Sequence, residues 1–264
     1  MILLKVEKLE VVYHRVITAV QGISLEVPQG AIVTLIGNNG AGKTTTLRAL
    51  SGFLGLDDAR VTEGAIVYRG ERIENRAPHR IARLGVALVP ERSKVFESLS
   101  VEENLLAVVP RRATKFDREL VYQFFPALVP LRRRAAGYLS GGERQMLAIG
   151  AALACSPELL LIDELSQGLS PVLVQELMER LKTIRAESGV TILLVEQNAQ
   201  VALDVADYGY VMENGRIVLD GTPERLRAHQ DIQEFYLGTG VGGRARRRSY
   251  RDVKQYRRSR RWYG

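Results

Sequence analysis

A glycine-rich segment at residues 37–44 constrains this chain more than any other feature of its sequence. It reads Gly-Asn-Asn-Gly-Ala-Gly-Lys-Thr and matches the pattern G-x-x-x-x-G-K-[ST]. Residues 31–36 before it are almost continuously apolar and β-branched, which predicts a strand buried on both faces. Residues 43–50 after it predict a helix. A buried strand, a glycine turn and a helix in this order indicate a phosphate-binding loop in a parallel α/β fold.

This loop provides both donors and charge for phosphate groups. Its glycines allow the backbone to curl so that N–H groups point inward at phosphate oxygens, and the following helix places its N-terminal partial positive charge there. Lys43 adds a point charge for the β- and γ-phosphates, and the Thr44 hydroxyl is a predicted Mg²⁺ ligand. The predicted nucleotide-binding residues here are Gly37, Asn38, Asn39, Gly40, Ala41, Gly42, Lys43, Thr44 and Thr45.

Two acidic residues end a second predicted buried strand. Residues 159–162 are apolar, and Asp163 and Glu164 follow them directly. We expect Asp163 to bind Mg²⁺ and Glu164 to polarise an attacking water. An acidic pair at a strand end is common on protein surfaces, so this signal is weak alone. Together with the phosphate loop it predicts ATP hydrolysis, because phosphoryl transfer needs both a phosphate cradle and a metal-binding carboxylate.

The order of the predicted elements, together with the phosphate loop, indicates an α/β fold of the P-loop NTPase class with a parallel sheet core. An antiparallel β subdomain is predicted from strands ending at Tyr13 and covering 23–27 and 61–68. A helical insert follows, with helices at 78–84, 101–108, 117–125 and 143–155 around a strand at 86–89. Strands at 159–162 and 190–195 then alternate with helices at 171–187 and 199–206, which argues for a parallel sheet. Asn214-Gly215 predicts a type I′ hairpin.

Composition excludes several other classes. A chain of 264 residues with 46% hydrophobic and 25% charged residues suits a globular protein with a substantial core. Cys155 is the single cysteine, so an intramolecular disulfide is impossible, and three scattered histidines make a Cys/His zinc site unexpected. No run approaches 18 apolar residues, and the apolar start is too short for a signal peptide. We therefore expect any membrane role to act through a partner.

The net charge of +7 belongs to the C-terminal tail. Residues 244–264 carry ten Lys and Arg against Asp252, which leaves 27 basic and 29 acidic residues in 1–243. The body of the protein is therefore nearly neutral. Arginines interleaved with aromatic residues suit a solvated tail, an anionic membrane surface or RNA, and the sequence does not decide among them.

A third motif points to a family. It is the segment 139–145, which reads Leu-Ser-Gly-Gly-Glu-Arg-Gln. Its Ser140 lies 97 residues after Lys43 and 23 residues before Asp163. The chain resembles the nucleotide-binding subunits of ABC transporters across about residues 3–237. The resemblance implies an ATP-binding domain over 1–237 with a RecA-like parallel sheet core and the helical insert at about 92–155. It is followed by a glycine linker with a basic, flexible tail over 238–264.

The resemblance also implies roles for single residues. Ser140, Gly141 and Gly142 would clasp the γ-phosphate held by an opposite subunit, so that two subunits sandwich two ATP molecules. Tyr13 would stack on adenine, with an ordinary strand tyrosine as the alternative. Glu91 would touch Mg²⁺ and the pore subunit, although most of the family has glutamine there.

Besides Glu91, three positions depart from the family pattern. Leu165 replaces the usual proline and Ser170 the usual aspartate in a loop that crosses the dimer interface. Gln197, with Glu164 a catalytic candidate, replaces a histidine that contacts the γ-phosphate. Glutamine donates a hydrogen bond but carries no positive charge. These departures place full-speed hydrolysis in question, but not nucleotide binding.

Details at 90–91, 143, 196–199 and 215–238 are similar to one ATPase of the branched-chain amino acid importers, with urea and short-chain amide importers closely related. The resemblance implies a subunit peripheral to the cytoplasmic face of the inner membrane. It would be bound to membrane-embedded permease subunits through residues 92–106. Its other partners would be a second ATP-binding subunit, in a hetero- or homodimer, and indirectly a solute-binding protein outside the cell.

Two other classes remain as alternatives. A soluble ABC ATPase could act on RNA or the ribosome through the basic tail, although one cassette per chain and the short spacing to Ser140 argue against it, so no specific nucleic acid is expected. A P-loop kinase acting on a small molecule would not need the segment 139–145.

Overall fold

The computed structural model describes residues 1–91, 95–108 and 118–235. Residues 92–94 and 109–117 of the predicted helical insert lie outside this part, as do the predicted domain end at 237 and the predicted linker and tail at 238–264. The strands are β1 Ile2–Tyr13, β2 Ile17–Pro28, β3 Ile32–Ile36, β4 Ala59–Tyr68, β5 Glu71–Arg72, β6 Val86–Val89, β7 Leu159–Asp163, β8 Thr191–Glu196, β9 Tyr208–Glu213 and β10 Arg216–Gly221. The α-helices are α1 Lys43–Ser51, α2 Pro78–Arg83, α3 Val101–Ala107, α4 Arg118–Phe124, α5 Gly141–Ala154, α6 Pro171–Ser188, α7 Ala199–Leu203, α8 Pro223–Ala228 and α9 Gln230–Phe235.

A six-stranded sheet has the strand order β10-β9-β3-β8-β7-β6, and the predicted phosphate loop and acidic pair follow two of its strands, β3 and β7. All its pairings are parallel except that of β9 with β10. Every residue of β3, β7 and β8 is buried, which explains their continuous apolar sequences. Ile36 pairs with Glu196, and Asp163 pairs with Val195, so these three strands end side by side. Open α/β sheets place their ligands at this carboxyl edge.

A smaller antiparallel sheet in the order β2-β1-β4-β5 lies against the phosphate-loop helix. Along β2, buried Ile23, Leu25 and Val27 alternate with exposed residues, as expected for a sheet with one face in the core. They share a hydrophobic cluster with Leu47 and Leu50 of α1. This packing fixes α1 between the two sheets.

The helical part packs against the other face of the large sheet. Its cluster includes Val101 of α3, Val121 of α4 and Ile149 of α5, together with Leu160 of β7 and Leu177 of α6. Apolar residues at helical spacing on α5 and α6 therefore bury one continuous face. This arrangement presents the N-terminus of α5 at the protein surface.

The fold class predicted from the sequence is confirmed: an α/β sheet core, an antiparallel β layer and a helical part. The strand at Val86–Val89 has the predicted bounds. The hairpin is also confirmed, since Asn214 and Gly215 have φ values of 49° and 77°, both positive as a type I′ turn requires.

Two helix bounds differ from the predictions by two or more residues, and the other bounds of the predicted helices agree to within one residue. Helix α5 begins at Gly141 rather than residue 143, because Ser140 caps it directly. Helix α7 ends at Leu203 rather than at residue 206, where the Val205 amide turns back to the Ala202 carbonyl. Among the residues that the structure describes, none of the helices is both long and apolar enough to cross a membrane.

Candidate active site

The phosphate loop connects the end of β3 to the first turn of α1. Gly42 has a φ of 103°, a conformation that L side chains rarely adopt, and a Cβ there would lie 2.8 Å from the carbonyl oxygen of Ala19. A Cβ at Gly37 would lie 2.4 Å from the carbonyl oxygen of Met212. Glycine at the cap gives α1 no side-chain capping bond, so its first backbone N–H groups are available to an anion.

Lys43 lies inside this loop with its side chain only 3% exposed. Its Nζ donates to the carbonyl oxygen of Asn38 at 3.1 Å and pairs with Oε1 of Glu164, also at 3.1 Å. A buried ammonium needs a compensating charge, and here the carboxylate of Glu164 supplies it. Phosphate oxygens bound in the loop would compete with Glu164 for the same ammonium group.

Asp163 faces the hydroxyl of Thr44. Thr44 Oγ1 donates to Asp163 Oδ1 at 3.3 Å. Burial raises the pKa of Asp163 to about 6, and the carboxylates of Glu164 and Glu91 add to this rise, whereas Thr44 and Lys43 oppose it. The hydroxyl and carboxylate oxygens are hard ligands of the kind that Mg²⁺ prefers, and a divalent cation would offset the crowded negative charge.

Glu164 has an unusual backbone for a residue with a side chain. Its φ of 46° is in the left-handed region, which costs about 1–2 kcal/mol for an L residue. Its N–H donates to the carbonyl oxygen of Val195 at 2.9 Å. Non-glycine residues in this region cluster at active sites, where surrounding contacts hold them in place.

Tyr13 ends β1 beside the first turn of α1. Its hydroxyl lies 3.2 Å from Oγ1 of Thr45, and the residue is half-buried. The structure therefore brings the aromatic candidate next to the phosphate loop, while its stacking on adenine stays a prediction.

The two remaining candidates near the sheet edge, Glu91 and Gln197, follow strands of the large sheet. Glu91 comes after β6 and is half-buried, close enough to Asp163 to raise the pKa of that residue. Gln197 comes directly after β8 and is exposed. Both therefore lie at the carboxyl edge, and their chemical roles stay predictions.

The segment Ser140–Gly142 lies elsewhere, at the start of α5. Ser140 and Glu143 form a capping box, in which the Glu143 amide donates to Ser140 Oγ at 3.2 Å and the Ser140 amide donates to Glu143 Oε2 at 2.7 Å. Ser140 and Gly141 are exposed, and Gly142 is buried. Within the described ranges, no hydrogen bond or ion pair joins this segment to residues 37–45. A surface position is what a contact to a second subunit would require.

Sequence reasoning missed two polar residues of this edge, Glu196 and Ser166. Glu196 is fully buried, and its carboxylate accepts hydrogen bonds from Ser166 N and Ser166 Oγ. An acid as the last residue of an otherwise apolar strand was the available signal, since buried carboxylates need partners.

A buried lysine in a glycine loop, a hydroxyl and two carboxylates at the carboxyl edge of a parallel sheet define a P-loop nucleoside triphosphatase. Known proteins agree. The family model described as ABC transporter matches residues 20–167, more than half of the chain. The chain belongs to the ABC transporter family as an ATP-binding subunit, an ATPase coupled to transport.

Two relatives come from Pseudomonas aeruginosa. The high-affinity branched-chain amino acid transport ATP-binding protein BraG is 43% identical over 229 residues, covering 86% of this chain and 96% of BraG. The protein of the same description named BraF is 31% identical over 239 residues, covering 83% of this chain and 92% of BraF. A solved structure of MJ1267, an ATP-binding cassette of an ABC transporter, has a TM-score of 0.79 at 26% identity, covering 92% of this chain and all of that one.

Proposed function

We propose that this chain is one of two different ATP-hydrolysing subunits of an importer for branched-chain amino acids or related small polar solutes. The observation that carries the proposal is the assembled site of Lys43, Thr44, Asp163 and Glu164 in a chain 43% identical to BraG. BraG and BraF are two distinct ATP-binding proteins of one organism, and both resemble this chain, which supports a heterodimer.

The phosphate loop binds ATP, and Lys43 exchanges Glu164 for phosphate oxygens. Mg²⁺ would be held by oxygens of Thr44, Asp163 and Glu91 and would neutralise phosphate charge. Once released from Lys43, the Glu164 carboxylate orients a water molecule and accepts its proton as the water oxygen attacks the γ-phosphorus. The bond from that phosphorus to the β–γ bridging oxygen breaks, and ADP and phosphate result.

Two neutral groups complete the proposed site. Gln197 donates a hydrogen bond to the γ-phosphate without adding positive charge, so hydrolysis here is slower than with the family's histidine. Tyr13 stacks on adenine. The Ser140–Gly142 segment, in which Ser140 and Gly141 are exposed, clasps the γ-phosphate held by the other subunit. The same segment of that other subunit completes the site described here.

A groove of about 730 Å³ between α1, α2, β6 and α5 suits the permease. Apolar residues line most of it, including Phe53, Leu56, Val86 and Ala151, and the Leu56 side chain is 77% exposed. The groove reaches Pro90, the neighbour of Glu91, and therefore borders the nucleotide site. Its lining includes Pro90 and Val108, on either side of the segment 92–106 that the sequence predicts as the permease contact, but no residue of that segment. We assign the groove to an apolar cytoplasmic helix of the permease, at the cytoplasmic face of the membrane. A solute-binding protein would meet only the permease.

The alternative of a soluble ATPase acting on RNA or the ribosome is not supported by these relatives, which are transport proteins. Its basic tail lies beyond the described residues.

The first test is ATP turnover of the purified chain, compared with Glu164→Gln, with gel filtration in the presence of ATP. We expect slow hydrolysis by the wild type and at least about a hundredfold loss in the variant, because a general base contributes that much. The variant should still associate in ATP. Turnover that survives Glu164→Gln would contradict the assigned base.

A second test addresses the partners. Co-expression with permease chains and a second ATP-binding chain should yield a complex with one copy of each ATPase and faster turnover than the isolated chain. A fully active homodimer on its own permease would refute the heterodimer.

A further inference from the structure

Glu196 is a buried carboxylate to which the proposed chemistry gives no role. It is the last residue of β8 and is fully inaccessible to solvent. Its Oε1 accepts a hydrogen bond from Ser166 N at 2.9 Å, and its Oε2 accepts one from Ser166 Oγ at 2.6 Å. Two donors of one residue therefore converge on one carboxylate.

The main chain of Glu196 makes a further contact, on the phosphate-loop side. Its carbonyl oxygen accepts from the N–H of Gly37, the first residue of the loop, at 3.3 Å. One residue therefore joins the segment that follows Glu164 to the start of the phosphate loop.

These bonds act on a strained part of the chain. Glu164 has a left-handed backbone, and such a conformation persists only where neighbouring contacts determine it. Its N–H is held by Val195, the residue before Glu196. The backbone N–H and the hydroxyl of Ser166, two residues further along the chain, are held by the Glu196 side chain. Strand β8 therefore fixes Glu164 from both sides.

We propose that Glu196 is a positioning residue for ATP hydrolysis, which holds Ser166 so that Glu164 keeps the backbone conformation that directs its carboxylate to the phosphate loop. This inference rests on the proposed role of Glu164. A shift of about 1 Å in a catalytic group is enough to lower the rate of the chemical step strongly. Loss of the Glu196 contact should therefore lower kcat.

The influences on the pKa of Glu196 agree with its hydrogen bonds to Ser166. Burial raises the pKa of Glu196, while the hydrogen bonds from Ser166 favour the carboxylate and oppose the rise. The holding role depends on hydrogen-bond acceptors rather than on charge. A glutamine at this position can accept from Ser166 N through Oε1 and donate to Ser166 Oγ through Nε2, so it should preserve the arrangement.

Four variants of the full chain, assembled with its partners, test the proposal. Glu196→Ala and Ser166→Ala should each lower kcat by about tenfold or more while the KM for ATP changes less than about twofold. Glu196→Gln should retain kcat within about threefold. Thr191→Val is the matched control, because Thr191 lies at the other end of β8, is buried, and accepts from Gly30 N through Oγ1 at 2.9 Å. It should lose stability but keep kcat.

Amide hydrogen exchange of the isolated chain provides a readout independent of activity. Exchange at residues 164–166 should accelerate in Glu196→Ala and Ser166→Ala, and should be unchanged in Glu196→Gln and Thr191→Val. If Glu196→Ala fails to fold, Ser166→Ala carries the test alone.

The outcomes separate this inference from the proposed function. Normal kcat in Ser166→Ala and Glu196→Ala beside an inactive Glu164→Gln would overturn the positioning role and leave Glu164 as the base. A raised KM with unchanged kcat would also overturn it, since the contact would then serve nucleotide binding. Hydrolysis that survives Glu164→Gln would contradict both the role of Glu164 as the base and the role of Glu196 in positioning it.

Discussion

Asp163, the proposed Mg²⁺ ligand, lowers the stability of the fold when it is ionised. It is 4% exposed and lies near the carboxylates of Glu164 and Glu91, with the hydroxyl of Thr44 as a hydrogen-bond donor. Burial raises its pKa from 3.8 to about 6. The folded state therefore binds a proton more tightly than the unfolded state does, and the ionised form destabilises the fold.

We expect Asp163→Asn to be more stable than the wild type at pH 8 without nucleotide or magnesium. The difference should be at most about 3 kcal/mol and should shrink as the pH falls through 6, vanishing below about 4 where both states are protonated. Thermal unfolding measured between pH 4 and 8 checks this.

Glu179→Gln is the control for that experiment, because Glu179 is 69% exposed and pairs with Lys182 on the surface of α6. It should change stability by less than about 1 kcal/mol at any of these pH values. A wild type more stable than Asp163→Asn at pH 8 would contradict the expectation.

At the scale of single elements, two helices begin with the same motif. Ser100 with Glu103 starts α3, and Ser140 with Glu143 starts α5, each as a reciprocal capping box. The sequence placed the start of α5 two residues late, because residues 141–142 are glycines and helix propensity disfavours them. The cap and the packing of Gly142 against Leu173 outweigh that preference.

The repeated motif provides an internal comparison. Ser100→Ala and Ser140→Ala should each cost about 1 kcal/mol of stability, since each removes one capping acceptor. Only Ser140→Ala should also weaken ATP-dependent association of the two ATPase subunits, because only that segment is proposed to contact bound phosphate. Urea unfolding and gel filtration in ATP measure the two effects, and equal loss of association in both variants would contradict the proposed role of Ser140.

At the scale of the whole molecule, the described residues frame an apolar groove that reaches Pro90, next to the candidate Mg²⁺ ligand Glu91. The groove and Glu91 are adjacent through Pro90, and Glu91 acts electrostatically on Asp163. A permease helix seated there would thus be mechanically close to the groups that bind the phosphates. This proximity offers a physical route from nucleotide binding to movement of the pore subunits.

We expect Leu56→Glu to abolish co-purification with the permease and to leave ATP turnover of the isolated chain within about twofold, because a charge in an apolar contact is costly to bury. Ile2→Glu, on the small sheet at the end of β1 remote from Tyr13, is the control, since Ile2 is 42% exposed and outside the groove. Retained co-purification in Leu56→Glu would show that the permease binds elsewhere.

Local pattern was sufficient for the fold class and for most of the candidate site. The phosphate loop, the acidic end of β7, the hairpin at Asn214 and the strand at Val86–Val89 were all predicted at or near their observed positions. Each rests on residues adjacent in the chain: glycines for unusual φ values, continuous apolar runs for buried strands, and polar residues at strand ends. Such signals need no knowledge of neighbouring strands.

Contacts between strands far apart in the sequence were decided only by the tertiary structure. The Lys43–Glu164 pair spans 121 residues, and the Glu196–Ser166 bonds depend on β8 lying beside β7 in one particular register. Burial of Asp163, and hence its pKa, depends on the same packing. Residue types and their order determined the chemistry available to this protein, whereas the parallel register of β3, β8 and β7 decided which groups meet, because that register is set by packing across the whole sheet.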